Sequence, residues 1–246
     1  MHGFRPNPAP SKMLFQSTLF LLALLPLASS LSLPSNPITT RATFVGTSAA
    51  AVVASPLSLI PSAASAAEDG VTKLKINLKN PEASLTCTLT RAWSPLGYDQ
   101  FITLVKDKYY DDCPFFRVIP GFCAQFGINP TPSKGSQYAQ AIKDDPAGTG
   151  PGNLKYTFAF ATAGPNTRTT QVFLSLRDNG FLDKQGFTPF GSIDEESHKA
   201  VAKIYSGYGE GSPQGKGPNQ AMLKVRGETY MGTFPMMTRI ESIQIV

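Results

Sequence analysis

Histidine is almost missing from this 246-residue chain: His2 and His198 are the only two. His2 lies in a leader-like region, and His198 stands beside Glu195 and Glu196 where a helix is expected to begin. A solvated or capping role suits His198 better than catalysis, so histidine-based triads and His-rich metal sites are excluded. Cysteine is scarce too. Cys87, Cys113 and Cys123 show no C-x-x-C spacing, which supports neither a zinc site nor a thioredoxin-like motif. An odd count cannot close into a complete disulfide framework; a single Cys87–Cys113 bridge stays open, with buried free thiols as the default. No G-x-x-x-x-G-K-S/T sequence occurs, and Gly207-Tyr208-Gly209-Glu210-Gly211 misses the G-x-G-x-x-G pattern because Gln214 takes the third glycine position. That stretch reads as a flexible loop. The pairs Asp111-Asp112 and Asp144-Asp145 read as solvated turn charges, without the opposed geometry of glycoside hydrolysis.

Acid is lacking altogether from residues 1–66, which carry only Arg5, Lys12 and Arg41 as charged side chains. Removing those three from 22 basic and 17 acidic residues leaves 19 and 17 for residues 67–246, a net charge of +2. A nearly balanced body gives no electrostatic argument for nucleic acid, and that partner class is set aside. Within the leader, the apolar run 14–28 follows Lys12, contains Pro26 and ends in Ala28-Ser29-Ser30. It is short for a membrane span and reads as a signal-peptide core. A second module follows, with Arg41, an apolar run over 44–60 and the small-x-small site Ala64-Ser65-Ala66. Two such modules in series, joined by a Ser/Thr/Pro-rich segment, resemble the presequence of a thylakoid-lumen protein in a plastid reached through the secretory route. The alternative is one signal peptide plus a linker, giving a secreted or endomembrane protein. Retention of 44–60 as an anchor is disfavoured by Pro56 and its many alanines. The expected organisation is a cleavable presequence over 1–66 and one monomeric domain over 67–246, with no membrane segment in the mature form.

Alternation dominates that domain. Leu74, Ile76 and Leu78 oppose Lys73, Lys75 and Asn77, and Leu85, Cys87 and Leu89 alternate with threonines, so Asn80-Pro81 predicts a hairpin between two strands. Further strands are predicted over 115–119, 122–126, 156–161, 171–176, 188–193 and 240–246. Helices are predicted over 96–106 and 195–205, and residues 129–153 form a long Pro/Gly-rich loop. Short strands with Gly/Pro turns and two helices predict a mainly β fold: a closed antiparallel barrel of about eight strands capped by two α-helices.

What the chain does have is concentrated in Phe115-Phe116-Arg117-Val118-Ile119-Pro120-Gly121-Phe122-Cys123-Ala124-Gln125-Phe126-Gly127. An arginine on a half-buried strand must be paired or must face a ligand, and this stretch holds no acid. A second run, Ala161 to Phe173, contains Ala-Gly-Pro-Asn-Thr and Gln171-Val172-Phe173, and a third holds Phe181-Leu182-Asp183 and Gly186-Phe187-Thr188-Pro189-Phe190. Taken alone, Arg117 would be read as paired to a distant carboxylate, Phe122 and Phe173 as core, and Gln125 as satisfying backbone. In series, the three runs resemble the signatures of the cyclophilins, peptidyl-prolyl cis-trans isomerases. The Gln125-Phe126-Gly127-Ile128-Asn129 wording and the Tyr208-Gly209-Glu210-Gly211 loop are closer to bacterial-type members.

That resemblance implies Arg117 as the catalytic arginine, Phe122 in the proline pocket and Gln125 orienting the substrate backbone. Phe173 and Cys123 would form the apolar wall, with Cys123 where the family usually has methionine. Ala161, Thr162 and Gln171 match positions that hold the residue before proline; Phe181, Leu182 and Phe187 match the far rim. Thr162 replaces the usual asparagine, Phe187 stands about where many members have histidine, and Phe181 replaces the tryptophan of drug-sensitive members, leaving cyclosporin binding open. The implied clients are proline-containing polypeptides, with no metal or cofactor. A second reading keeps the fold as a binding or assembly module, with contacts in loops 129–153 and 206–220. A third, redox control through the three cysteines, rests only on their number.

Overall fold

The computed structural model describes residues 70–246, and the leader readings lie outside the described residues. β1 (Val71–Lys79) and β2 (Ala83–Thr90) form the expected hairpin, with Leu74 opposite Cys87 and Ile76 opposite Leu85. Their alternating apolar residues are all buried. Six further strands complete one antiparallel sheet: β3 (Arg117–Ile119), β4 (Cys123–Phe126), β5 (Thr157–Phe160), β6 (Val172–Ser175), β7 (Pro189–Ile193) and β8 (Arg239–Ile245). Their order is β3-β4-β6-β5-β7-β2-β1-β8.

The sheet curls into a half-barrel. β3 and β8 stay its edges and share no ladder, in contrast to the expected closed barrel. The residues just before β3 approach β8 instead: Asp112 N donates to Ile240 O (2.8 Å), Ile240 N to Cys113 O (2.9 Å) and Phe115 N to Thr238 O (2.9 Å). The concave side is filled by aromatic rings, among them Phe101, Tyr110, Phe126, Phe158, Phe160 and Phe190. Phe101 packs 5.0 Å from both Tyr110 and Phe190, centroid to centroid.

α1 (Pro95–Lys106) supplies Phe101, and its buried face of Tyr98, Phe101, Leu104 and Val105 carries the helical period. The second expected helix is much shorter: a 3-10 turn at Glu195–Ser197 leads into α3 (His198–Val201), and turns follow. His198 stacks on Tyr156 at 3.8 Å. Three short helices were not legible: α2 (Pro132–Gln137) inside the long loop, α4 (Gln220–Arg226) and α5 (Glu228–Met231). Each is too short for an apolar period to stand out; α4 buries Leu223 and is capped by Asn219, whose side chain accepts from Met222 N (3.1 Å). Two capping helices therefore understate the helical part. All three cysteines are buried and free, and no Cys87–Cys113 bridge forms.

The Asp144-Asp145 pair is not a solvated turn charge. Asp145 is buried at the start of α1, where it accepts from Leu96 N (2.8 Å), Gly97 N (2.9 Å) and the Ser94 hydroxyl. Arg168, only 3 % exposed, donates to it through Nη1 (2.9 Å) and lies 3.3 Å from Asp144. Burial alone would raise the Asp145 pKa; the donors from Ser94, Leu96, Gly97 and Arg168 outweigh it and hold the value below the ordinary one. Its stabilisation is therefore complete above the ordinary aspartate range and fades as pH falls through the lowered folded value. Asp145→Ala leaves Arg168 buried without its nearest carboxylate and is expected to cost about 3–5 kcal/mol in urea unfolding. An unchanged midpoint would contradict that ion pair.

Candidate active site

The β3–β4 hairpin is closed by Ile119-Pro120-Gly121-Phe122, with Phe122 N donating to Ile119 O at 2.9 Å. Gly121 has φ of +70°, which with Pro120 before it matches a type II turn. This turn sets the register: Arg117 lies opposite Gln125. Across the next strand Gln125 lies opposite Phe173, and Phe173 opposite Ala159. Directly opposed residues share a face, so one row crosses four strands: Arg117, Gln125, Phe173, Ala159. Two residues along β4, on the same face, is Cys123. The other face of β3 is anchored separately, because Phe116 packs with Ile128, Leu223, Met231 and Met237.

Cys123, Ala159, Phe173 and Leu182 form an apolar cluster against which Phe122, Ala161 and Phe187 pack. Phe187 meets Phe173 edge-on at 5.6 Å, and Phe122 stacks on Phe181 at 6.2 Å. Phe181 itself is 44 % exposed, as a rim position requires. The carbonyl of Phe122 accepts from Leu176 N and Asn179 Nδ2, both at 2.9 Å, which holds this residue at the edge of the cluster. Ten of the eleven sequence-derived candidates thus gather in one place: Arg117, Gln125 and Gln171 on its polar side, the others on its apolar side. Thr162 follows Ala161 directly, and its hydroxyl is engaged with Thr167 Oγ1 (2.8 Å) and Gly164 of its own turn. A hollow of about 250 Å³ lined by Trp93, Gly150, Asp183 and Thr188 shares Phe187 with the cluster but includes neither Arg117 nor Gln125.

Arg117 is not the unpaired cation that its own strand suggests. Its side chain is 18 % exposed, and Glu210 grips it at both nitrogens of one edge: Nε donates to Oε1 (2.6 Å) and Nη2 to Oε2 (2.8 Å). Nη1 donates to Gln125 Oε1 (3.2 Å) and lies 3.5 Å from Cys123 Sγ. Gln125 Nε2 passes the chain on to Gln171 Oε1 (2.8 Å). The guanidinium carbon sits 5.5 Å from the centre of the Phe122 ring. Glu210 escaped the sequence reading because it lies 93 residues from Arg117. The available signal was a lone acid, Glu210, inside the glycine-rich stretch 207–217.

Electrostatics follow from this pairing. Burial works against the charge on Arg117, but the Glu210 hydrogen bond and charge prevail and its pKa is raised. Burial likewise opposes the Glu210 carboxylate; the Arg117 bond and charge, with the Gly211 amide, hold it below the ordinary glutamate value. Burial pushes the Cys123 thiol up to about 11, against the pull of Arg117. Such a group stays protonated and unreactive near neutrality.

The chain matches the family described as cyclophilin type peptidyl-prolyl cis-trans isomerase/CLD over residues 73–225, a range that holds the whole site. A peptidyl-prolyl cis-trans isomerase of Acinetobacter baylyi is 33% identical over 126 residues, covering 49% of this chain and 64% of that protein. A peptidyl-prolyl cis-trans isomerase-like 1 protein of Gibberella zeae is 35% identical over 124 residues, covering 48% and 74%. Among solved structures, a cyclophilin type peptidyl-prolyl cis-trans isomerase of Cryptosporidium parvum shares the fold, with a TM-score of 0.51 at 17% identity over 72% of this chain and 98% of that one. Fold and relatives converge on the isomerases of proline peptide bonds. The chain belongs to the cyclophilin-type peptidyl-prolyl cis-trans isomerase family.

A consequence for Cys123 can be checked directly. All three thiols are buried, so a thiol reagent at pH 8 is expected to label the folded protein slowly and the unfolded protein at all three sites. Rapid labelling of Cys123 in the native state, read by peptide mass spectrometry, would contradict its placement.

Proposed function

We propose that the domain over residues 67–246 acts as a monomer on proline-containing polypeptides, rotating X-Pro bonds during folding, with Arg117 stabilising the twisted amide. The planar amide is held by donation of the nitrogen lone pair into the carbonyl, a barrier of about 18–20 kcal/mol. No covalent step is needed. A site that binds the twisted state better than either planar isomer accelerates the rotation. In the twisted state the proline nitrogen becomes pyramidal and basic, able to accept a hydrogen bond. Arg117 is a half-buried donor beside the apolar cluster of Phe122, Cys123 and Phe173, and this juxtaposition is the observation that carries the reading.

The donor count supports it. A guanidinium has five N–H groups. Two are held by Glu210 and one by Gln125; a fourth faces only the weak sulfur acceptor Cys123, and a fifth, on Nη2, is uncommitted. The phenylalanine faces of that cluster suit contact with a pyrrolidine ring, and their low polarity strengthens a charge-assisted bond beside them. Gln125, fixed between Arg117 and Gln171, is placed to orient the substrate backbone. Arg117→Ala is expected to lower kcat/KM for a proline-containing peptide by at least about tenfold, the equivalent of one charge-assisted bond of roughly 1.5–3 kcal/mol. Equal rates for the two proteins in an isomerisation assay would remove the arginine mechanism; peptide binding without turnover in the unaltered protein would leave a binding module.

The wording of the 125–129 and 208–211 segments supports a bacterial-type subgroup, and the two signal-like modules of residues 1–66 support delivery to a thylakoid lumen. Mass spectrometry of the mature N-terminus, from the native organelle, is expected to place it near residue 67. A start near residue 31 would favour the secreted or endomembrane alternative.

A further inference from the structure

The glycine-rich segment 207–217 is neither a phosphate loop nor a loose tether. It is folded tightly around Glu210. Gly217 N donates to Glu210 O (2.8 Å), Ser212 N to Gly217 O (2.9 Å) and Gly211 N to Glu210 Oε1 (2.9 Å). A side chain at Gly215 would bring a Cβ within 2.3 Å of Glu210 O, and one at Gly217 within 2.7 Å. These glycines are required because the backbone closes on the acid. The acid, 35 % exposed, then spans the whole Nε–Nη2 edge of Arg117.

We propose that Glu210 is a positioning residue for the isomerisation: its carboxylate locks the guanidinium of Arg117 so that the remaining N–H groups are held toward the rotating bond. The inference rests on the reading of Arg117 given above. A long, flexible arginine side chain could take up many rotamers; two parallel bonds to a carboxylate on a braced loop select one. Gln125 and Cys123 bound the Nη1 side, so the guanidinium is fixed on two sides before any client arrives. The same acid compensates the arginine charge in a half-buried site, which lets the cation persist there unliganded. Orientation of a donor used most strongly in the twisted state acts on kcat more than on KM.

The test is a double-mutant cycle on the purified protein, with kcat and KM measured on a proline tetrapeptide by NMR exchange. Glu210→Gln keeps the shape but loses the charge and one of the two parallel acceptors. It is expected to lower kcat about tenfold, with KM changed less than about twofold. In an Arg117→Ala background the same change is expected to add nothing. Full kcat in Glu210→Gln, a raised kcat, or equal losses in both backgrounds each overturns the positioning role; the last would mean that Glu210 serves the loop rather than Arg117. Should Glu210→Gln fail to fold by near-UV circular dichroism, Glu210→Asp takes its place. Its shorter carboxylate keeps the charge but cannot reach both nitrogens, and undiminished kcat there is equally fatal to the inference. The two levels separate cleanly: wild-type rates in Arg117→Ala remove the arginine mechanism and this inference with it. Loss in Arg117→Ala with full activity in Glu210→Gln removes this inference alone.

Discussion

Strand register is the constraint from which the site follows. Arg117, Gln125, Phe173 and Ala159 meet only because β3, β4, β6 and β5 are paired at those positions. A slip of one residue would turn Phe116 and Val118 toward the site and point the guanidinium to the opposite face, where Ile128, Met231 and Met237 now pack on Phe116. That second cluster holds no carboxylate to neutralise a cation. The tight Pro120-Gly121 turn and the two-sided burial of β3 therefore guard the chemistry as much as they guard the fold.

The polar side of the site is a chain of side chains, Glu210 to Arg117 to Gln125 to Gln171, laid against phenylalanines. Each link limits its neighbour's freedom, and low surrounding polarity strengthens them together. A reaction that breaks no covalent bond needs this kind of stiffness more than it needs a nucleophile or a metal. Scarcity of histidine and the inertness of Cys123 fit the same economy of means.

Local pattern made most of the strands legible. Alternation in Leu74, Ile76 and Leu78 and in Leu85, Cys87 and Leu89 placed the first hairpin within a residue or two, and the helix expected over 96–106 matches α1 to within one residue. The gathering of the phenylalanines around Arg117 was legible as a family pattern rather than from periodicity. Two ion pairs were not. Asp145 with Arg168, and Glu210 with Arg117, join residues far apart in the chain, and no local rule distinguishes a buried carboxylate from a solvated one. Sheet curvature without strand-to-strand closure also escaped, because it depends on how the 112–115 segment meets β8. Short helices such as α4 are stabilised by caps and tertiary packing, which seven residues of sequence do not advertise.

The pairing of β1 with β8 ties Leu74 to Ile245 and Ile76 to Ile243. The earliest strand of the domain thus waits for the latest one, and Arg117 waits for Glu210. During synthesis Arg117 has no counter-charge until Glu210 emerges, and β1 has no partner on its outer side until β8 follows. A chain halted before residue 210 would therefore carry the arginine of the site without the acid that grips it.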